Sequence, residues 1–247
     1  MPNPALDSSV FEQKRSLEQL IDESRARGEF YLYLVVGGAI ATFGLLSNNV
    51  AIIIGGMLVA PLMYPILFLA MAVTTTSRDG ILRALKVLGK SVAVTICTGL
   101  VIAFLFHDGV ITTEIALRVG ANLMSFLIAF LAGLAAAYGW VRRQSASSIL
   151  AGIAVSVSLI PPLTVVGIGI AVISKTIIAG AFTLFLVNLL GVVLSALLIF
   201  SLFGFSRLQK EEESKLVEEK IEDKIRERAV ADQARVEEAK ANGTLPQ

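Results

Sequence analysis

Six apolar stretches separated by short polar segments occupy the middle of the chain: Phe30 to Leu46, Val50 to Val73, Lys90 to Phe106, Leu123 to Val141, Ile149 to Ile173 and Ile177 to Phe203. A helix needs about 17 to 25 apolar residues to cross a hydrocarbon core roughly 30 Å thick. The pattern therefore predicts an all-α, polytopic integral membrane protein with six transmembrane helices. The flanks follow another rhythm. Val10, Leu17 and Ile21 recur at helical spacing among charges, and so do Leu208, Val217, Ile221 and Ile225 in and before the tail KEEESKLVEEKIEDKIRERA. The chain divides into an amphipathic segment over residues 1–29, a membrane domain over 30–205 and a charged helical tail over 206–247. A solvated helix is the simpler expectation for the tail; the alternative is a short coiled coil or docking helix that makes a homo-oligomer.

Within the apolar pattern, IGGMLVAPLMYPILFLA, Ile54 to Ala70, is conspicuous for holding Pro61 and Pro65. A proline inside a helix removes a donor and clashes with the carbonyl four residues back, at about 3 kcal/mol each. Breakers recur in the fifth span as SLIPPL, with Pro161 and Pro162. The halves match further: GAIATFG from Gly38 resembles GLAAAYG from Gly133, and 21 positions from Gly44 to Pro65 parallel 22 from Gly139 to Pro161. Three spans per half is an odd number, so the halves enter the membrane in opposite directions, as a 3+3 inverted repeat over about residues 30–106 and 122–204. Helices 2 and 5 are expected to be proline-broken and to face each other near the midplane.

A break offers backbone groups to a ligand. Pro61 frees the carbonyl of Met57, Pro65 that of Pro61, and Pro161 and Pro162 those of Val157 and Ser158. Ser156 and Ser158 precede the second pair, and Asn188 lies inside the last span, where it either hydrogen-bonds across helices or contacts a ligand. The substrate or ion candidates are thus Met57, Pro61, Pro65, Ser156, Val157, Ser158, Pro161, Pro162 and Asn188. Gly55, Gly56, Gly152 and Gly191 suit close helix packing.

Charge orients this arrangement. Nineteen of the 21 Lys and Arg residues lie on one side of the predicted spans, and only Arg118 and Lys175 lie on the other. By the positive-inside rule both termini are cytoplasmic, in a cell (plasma or inner) membrane. Hydrophobic residues make up 55% of the chain, against about 45 to 50% in soluble domains. With charge segregated and a net value of +1, nucleic-acid binding has no support. The one cysteine, Cys97, lies among apolar residues and reads as a buried small hydrophobe. No cleavable signal peptide is apparent, so the first span serves as insertion signal. With one histidine, His107, and no HExxH, GxSxG or P-loop, no enzyme, cofactor or metal site is expected. No Asp or Glu lies within a span, which disfavours a carboxylate proton relay. In the outer loop Glu114 and Arg118 share a face, and with Asn122 they form an outer-entrance candidate, Arg118 either guiding an anion inward or standing as a plain surface charge.

The motifs IGGMLVAPLMYP, NLMSFLIAFLAG, IAVSVSLIPPLTVVGIGI and LFLVNLLG resemble the prokaryotic hydrophobic proteins grouped as domain of unknown function 389, over about Ala39 to Phe200. Gly56 stands where that family usually has alanine, and Ala121 precedes Asn122 where proline is common. The resemblance implies an integral membrane protein of a prokaryotic cell envelope and supplies no activity. The expected partners are the lipid bilayer and an unidentified small solute or ion. The expected function is a transporter or channel, the alternative a non-transporting scaffold whose cytoplasmic helices bind partners.

Overall fold

The computed structural model describes the backbone of residues 10–142 and 145–241, and the side chains of 13–142, 158–226 and 228–229. Among these residues there are helices and no strands. In chain order they are α1 (Val10–Glu23), α2 (Gly28–Leu46), α3 (Val50–Val59), α4 (Met63–Thr74), α5 (Arg78–Phe106), the single turn α6 (Thr113–Ala116), α7 (Leu123–Val141), α8 (Ser145–Ala171), α9 (Lys175–Leu202), a 3-10 turn (Phe205–Leu208) and α10 (Gln209–Ala241). Four of them, α2, α5, α7 and α9, are each long and apolar enough to cross a bilayer, and α3 with α4 makes a fifth candidate bent by 56° at the intervening break.

Three of the reversals share one design. Asn48, Thr76 and Ile173 adopt positive φ (52°, 59° and 55°) just past the ends of α2, α4 and α8. The next residue then returns its amide to the carbonyl five back: Asn49 to Gly44 at 2.8 Å, Ser77 to Ala72 at 3.0 Å and Ser174 to Gly169 at 2.9 Å. Carbonyls that the helix end would leave unpaired are satisfied in this way. The side chain of that same residue caps the following helix, since Asn49, Ser77 and Ser174 each accept an amide from its first turn. Two residues therefore end one helix and start its antiparallel neighbour.

Packing between the long helices rests on close backbone approach. A Cβ added at Gly56 on α3 would lie 2.5 Å from the Ala41 nitrogen of α2, and one at Gly99 on α5 would lie 2.6 Å from the Thr164 carbonyl of α8. Gly191 likewise meets α7, whereas Gly55 faces open space, so its predicted packing role is corrected; the Gly152 side is outside the described side chains. Helix α8 touches α2, α3, α4, α5, α7 and α9, which makes it the centre of the bundle. From Pro65 to Ala72 every residue of α4 is buried, while Ile52, Ile54 and Leu58 of α3 are exposed. The apolar interior forms two clusters. One joins α4 to α1, α7, the first described part of α8 and the end of α9; the other joins α3 to the far ends of α2 and α5, the later turns of α8 and the start of α9.

Several expectations need correction. Helix 5 is not broken: α8 runs continuously through Pro161 and Pro162. Proline's fixed φ is compatible with a helix, and the hydrogen bond lost at Pro162 is replaced from α9. The third span begins twelve residues before Lys90, at Arg78, because Ser77 caps it there and Ala84 and Leu88 continue its buried face. Cys97 is exposed on the outer surface of α5 rather than buried. In the flanks, Leu17 and Ile21 are buried as their spacing suggests, but in α10 Val217, Ile221 and Ile225 are exposed, and Glu212, Leu216 and Glu219 form the packed face. Val10 lies outside the described side chains.

Candidate functional site

Pro61 breaks the second span. Ala60 takes an extended ψ of 121°, as a residue before proline prefers, and ends α3. Its carbonyl accepts from the Leu62 amide at 3.1 Å, and α4 starts at Met63 with no side-chain cap. Pro65 then sits third in α4, where a helix has no use for an amide donor. Of the two prolines only Pro61 interrupts the helix. Met57, Ala60 and Leu62 are buried around the break, Met57 within the cluster of the α2–α3 turn and Ala60 and Leu62 within the other.

The proline pair of α8 sits at the same boundary, with Leu159, Ile160 and Leu163 in one cluster and Val165, Val166 and Ile168 in the other. Pro162 has no amide for the Ser158 carbonyl. Asn188 of α9 donates from Nδ2 to that carbonyl at 2.7 Å. Thr164 Oγ1 donates to the Pro161 carbonyl at 2.9 Å. The Asn188 residue is 5% exposed, and its Oδ1 is buried with no hydrogen-bond partner. An unpaired buried amide oxygen costs about 1 to 3 kcal/mol, so its presence marks a place where a donor would be welcome. The structure thus brings Ser158, Pro161, Pro162 and Asn188 together, and puts the Pro61 break at the same level of the bundle. Ser156 and Val157 lie outside the described side chains. Thr95 and Thr98 bond back to carbonyls of their own helix, at 2.9 Å each.

The outer-entrance candidates gather around α6. Arg118 Nη1 donates to both the carboxylate and the carbonyl of Glu114 at 2.6 Å, which ties the side chain to α6. Asn122 is the N-cap of α7, accepting from the Ser125 amide and hydroxyl at 2.8 Å. Thr112 and Asn48 tie this loop to the α2–α3 turn.

At the opposite end, α1, the α4–α5 turn and α10 form an ionic layer that spacing in the sequence did not reveal. Glu219 is buried between Arg25 and Arg83, Lys14 pairs with Glu211 at 2.8 Å and Lys220 with Asp79 at 2.6 Å. Glu212 is fully buried and accepts from the Thr75 hydroxyl. Burial pushes its carboxyl above the usual range, an effect that hydrogen bonds from Thr75 and Ser77 oppose only in part. Each partner lies more than a hundred residues away in sequence, or on a third element, so no local signal could have identified the pairs.

Long apolar helices joined by short capped turns, with buried prolines and one buried amide at the bundle's centre, define a polytopic α-helical membrane protein. Residues 57–194 match the family described as Domain of unknown function (DUF389), and the chain belongs to that family. It is also 29% identical over 217 residues to an uncharacterized protein of Methanocaldococcus jannaschii, covering 83% of this chain and 67% of the relative. No solved structure matches.

Proposed function

We propose that the protein is a six-span transporter or channel for a small solute or ion, with both termini in the cytoplasm and a site between the Pro61 break and the Pro161–Pro162 turn of α8. The bent pair and α8 count as spans two and five. An inverted repeat is supported by the matching of neighbours: α5 packs on α8 as α9 packs on α4, and α2 packs on α5 as α7 packs on α9. The observation that carries the site is the divided amide of Asn188, whose donor replaces the bond lost at Pro162 and whose acceptor has no partner. Carbonyls and an amide oxygen without nearby charge favour a monovalent cation or a neutral hydrogen-bond donor over an anion. Proteoliposomes holding gradients of sodium, potassium or urea test this. At least one gradient should collapse faster than in empty vesicles, and Pro61→Ala or Asn188→Leu should slow that collapse about tenfold, a barrier change of about 1.4 kcal/mol. Wild-type protein inert to all three would remove the reading.

A second reading, a membrane scaffold, draws on Val217, Ile221 and Ile225, which stand exposed four apart along α10. If they form an oligomer seam, the triple serine variant will sediment as a smaller species than wild type.

A further inference from the structure

A cleft of about 290 Å³ opens where α2, α5 and α10 meet at the ionic end of the bundle. Six cations line it against two carboxylates, Glu219 and Asp223. Arg25 and Arg83 are held by Glu219. The other four, Arg27, Lys86, Lys90 and Arg226, are exposed and have no ion pair among the described residues. These four cations repel one another, and with Glu219 engaged by Arg25 and Arg83, Asp223 is the one other carboxylate lining the cleft among the described residues, so positive charge is in excess there.

The surroundings of the cleft indicate where a compensating anion comes from. Lys86 and Lys90 share their side of α5 with Leu82 and Leu85, which are 47% and 49% exposed, and on α2 the half-buried Tyr31 lines the cleft beside the exposed Leu32 and Tyr33. Exposed leucines next to lysines, with tyrosines one turn into the span, fit the level where hydrocarbon gives way to headgroups. A soluble anion would have no use for that apolar lip. We infer that the cleft binds the phosphate of an anionic phospholipid, its acyl chains lying along Leu82, Leu85 and Leu32 and its phosphodiester between Arg27, Lys86, Lys90 and Arg226. Basic pockets between membrane helices bind such headgroups through the same combination of charge and apolar contact. A bound lipid would also connect α10 to the membrane domain, because Arg226 belongs to the tail while both lysines belong to α5. The inference is independent of whether the protein transports anything.

The test uses the detergent-solubilised full chain titrated separately with dioleoylphosphatidylglycerol, dioleoylphosphatidylcholine and inorganic phosphate, with retention read by native mass spectrometry and stabilisation by thermal unfolding. Phosphatidylglycerol should bind about tenfold more tightly than phosphatidylcholine, and Lys86→Gln with Lys90→Gln should lose about tenfold in that affinity. Arg27→Gln should lose affinity in the same direction, giving a second variant outside α5. Arg207→Gln with Lys210→Gln removes two exposed charges outside the cleft and should leave affinity within about twofold of wild type. Equal binding of the two lipids, or equal losses in the cleft and control variants, would overturn the site. Protection by inorganic phosphate as strong as that by phosphatidylglycerol would assign the cleft to a soluble anion and overturn the lipid.

Discussion

Pro162 takes away the amide that would pair the Ser158 carbonyl, and Asn188, thirty residues from Ser158, supplies the replacement. Replacing Asn188 with leucine removes that hydrogen bond and should cost about 1 kcal/mol, within the range of interhelical hydrogen bonds in membranes. In a Pro162→Ala background the helix can form its own bond to Ser158, so Asn188→Leu should cost less there, and a double-mutant cycle by thermal unfolding measures the difference. Glu212 gives a second prediction at this scale. Its carboxyl is raised by burial, so the contribution of Glu212 itself to the packing of α10 is greatest in acid, where the group is protonated whether packed or free. That contribution falls as pH rises from the usual carboxylate value through the raised one. Glu212→Gln should therefore unfold at higher temperature than wild type at neutral pH, with the gap closing in acid. Pro61 was legible as a breaker because proline chemistry is local; the repair by Asn188, with Pro161 and Pro162 inside an unbroken α8, was not, because it depends on how α9 packs.

Helix boundaries follow from capping residues as much as from hydropathy. The break at Pro61 was readable, since the residue before a proline resists the helical region, and Pro65 is harmless because the break places it in a first turn. The continuity of α8 was not readable from the same residue type, and neither was the early start of α5, whose first three turns carry charges. Glycine spacing was similarly ambiguous. Gly55 and Gly56 are adjacent, yet only Gly56 faces α2. Gly56→Ala should destabilise by about 1 to 3 kcal/mol through overpacking, whereas Gly55→Ala should be neutral or slightly stabilising because alanine favours the helix. Thermal unfolding of the two variants in one detergent compares them directly.

For the molecule as a whole, segregation of charge made the membrane domain legible, and the ends of the bundle agree with it. The N-terminal helix, the α4–α5 turn and α10 meet at one end, and the α2–α3 turn, α6 and the α8–α9 turn at the other. A periplasmic-type reporter such as alkaline phosphatase should be inactive when fused to the tail and active when inserted at Gly109. The ionic layer that fixes the tail was invisible in the sequence, since opposite charges are abundant there and only the fold selects Arg25 and Arg83 for Glu219.

The central claim is that water and a ligand reach the proline-flanked centre of the bundle. It is tested most directly by thiol labelling in a Cys97→Ala background, comparing Ser158→Cys with Leu190→Cys, a residue 53% exposed on the outside of α9. A water-soluble methanethiosulfonate reagent reacts with a thiolate, and a thiol in lipid does not ionise. Cysteine at 158 should be modified in membranes while cysteine at 190 stays unreactive. A cysteine at 158 as inert as the one at 190 would contradict the site.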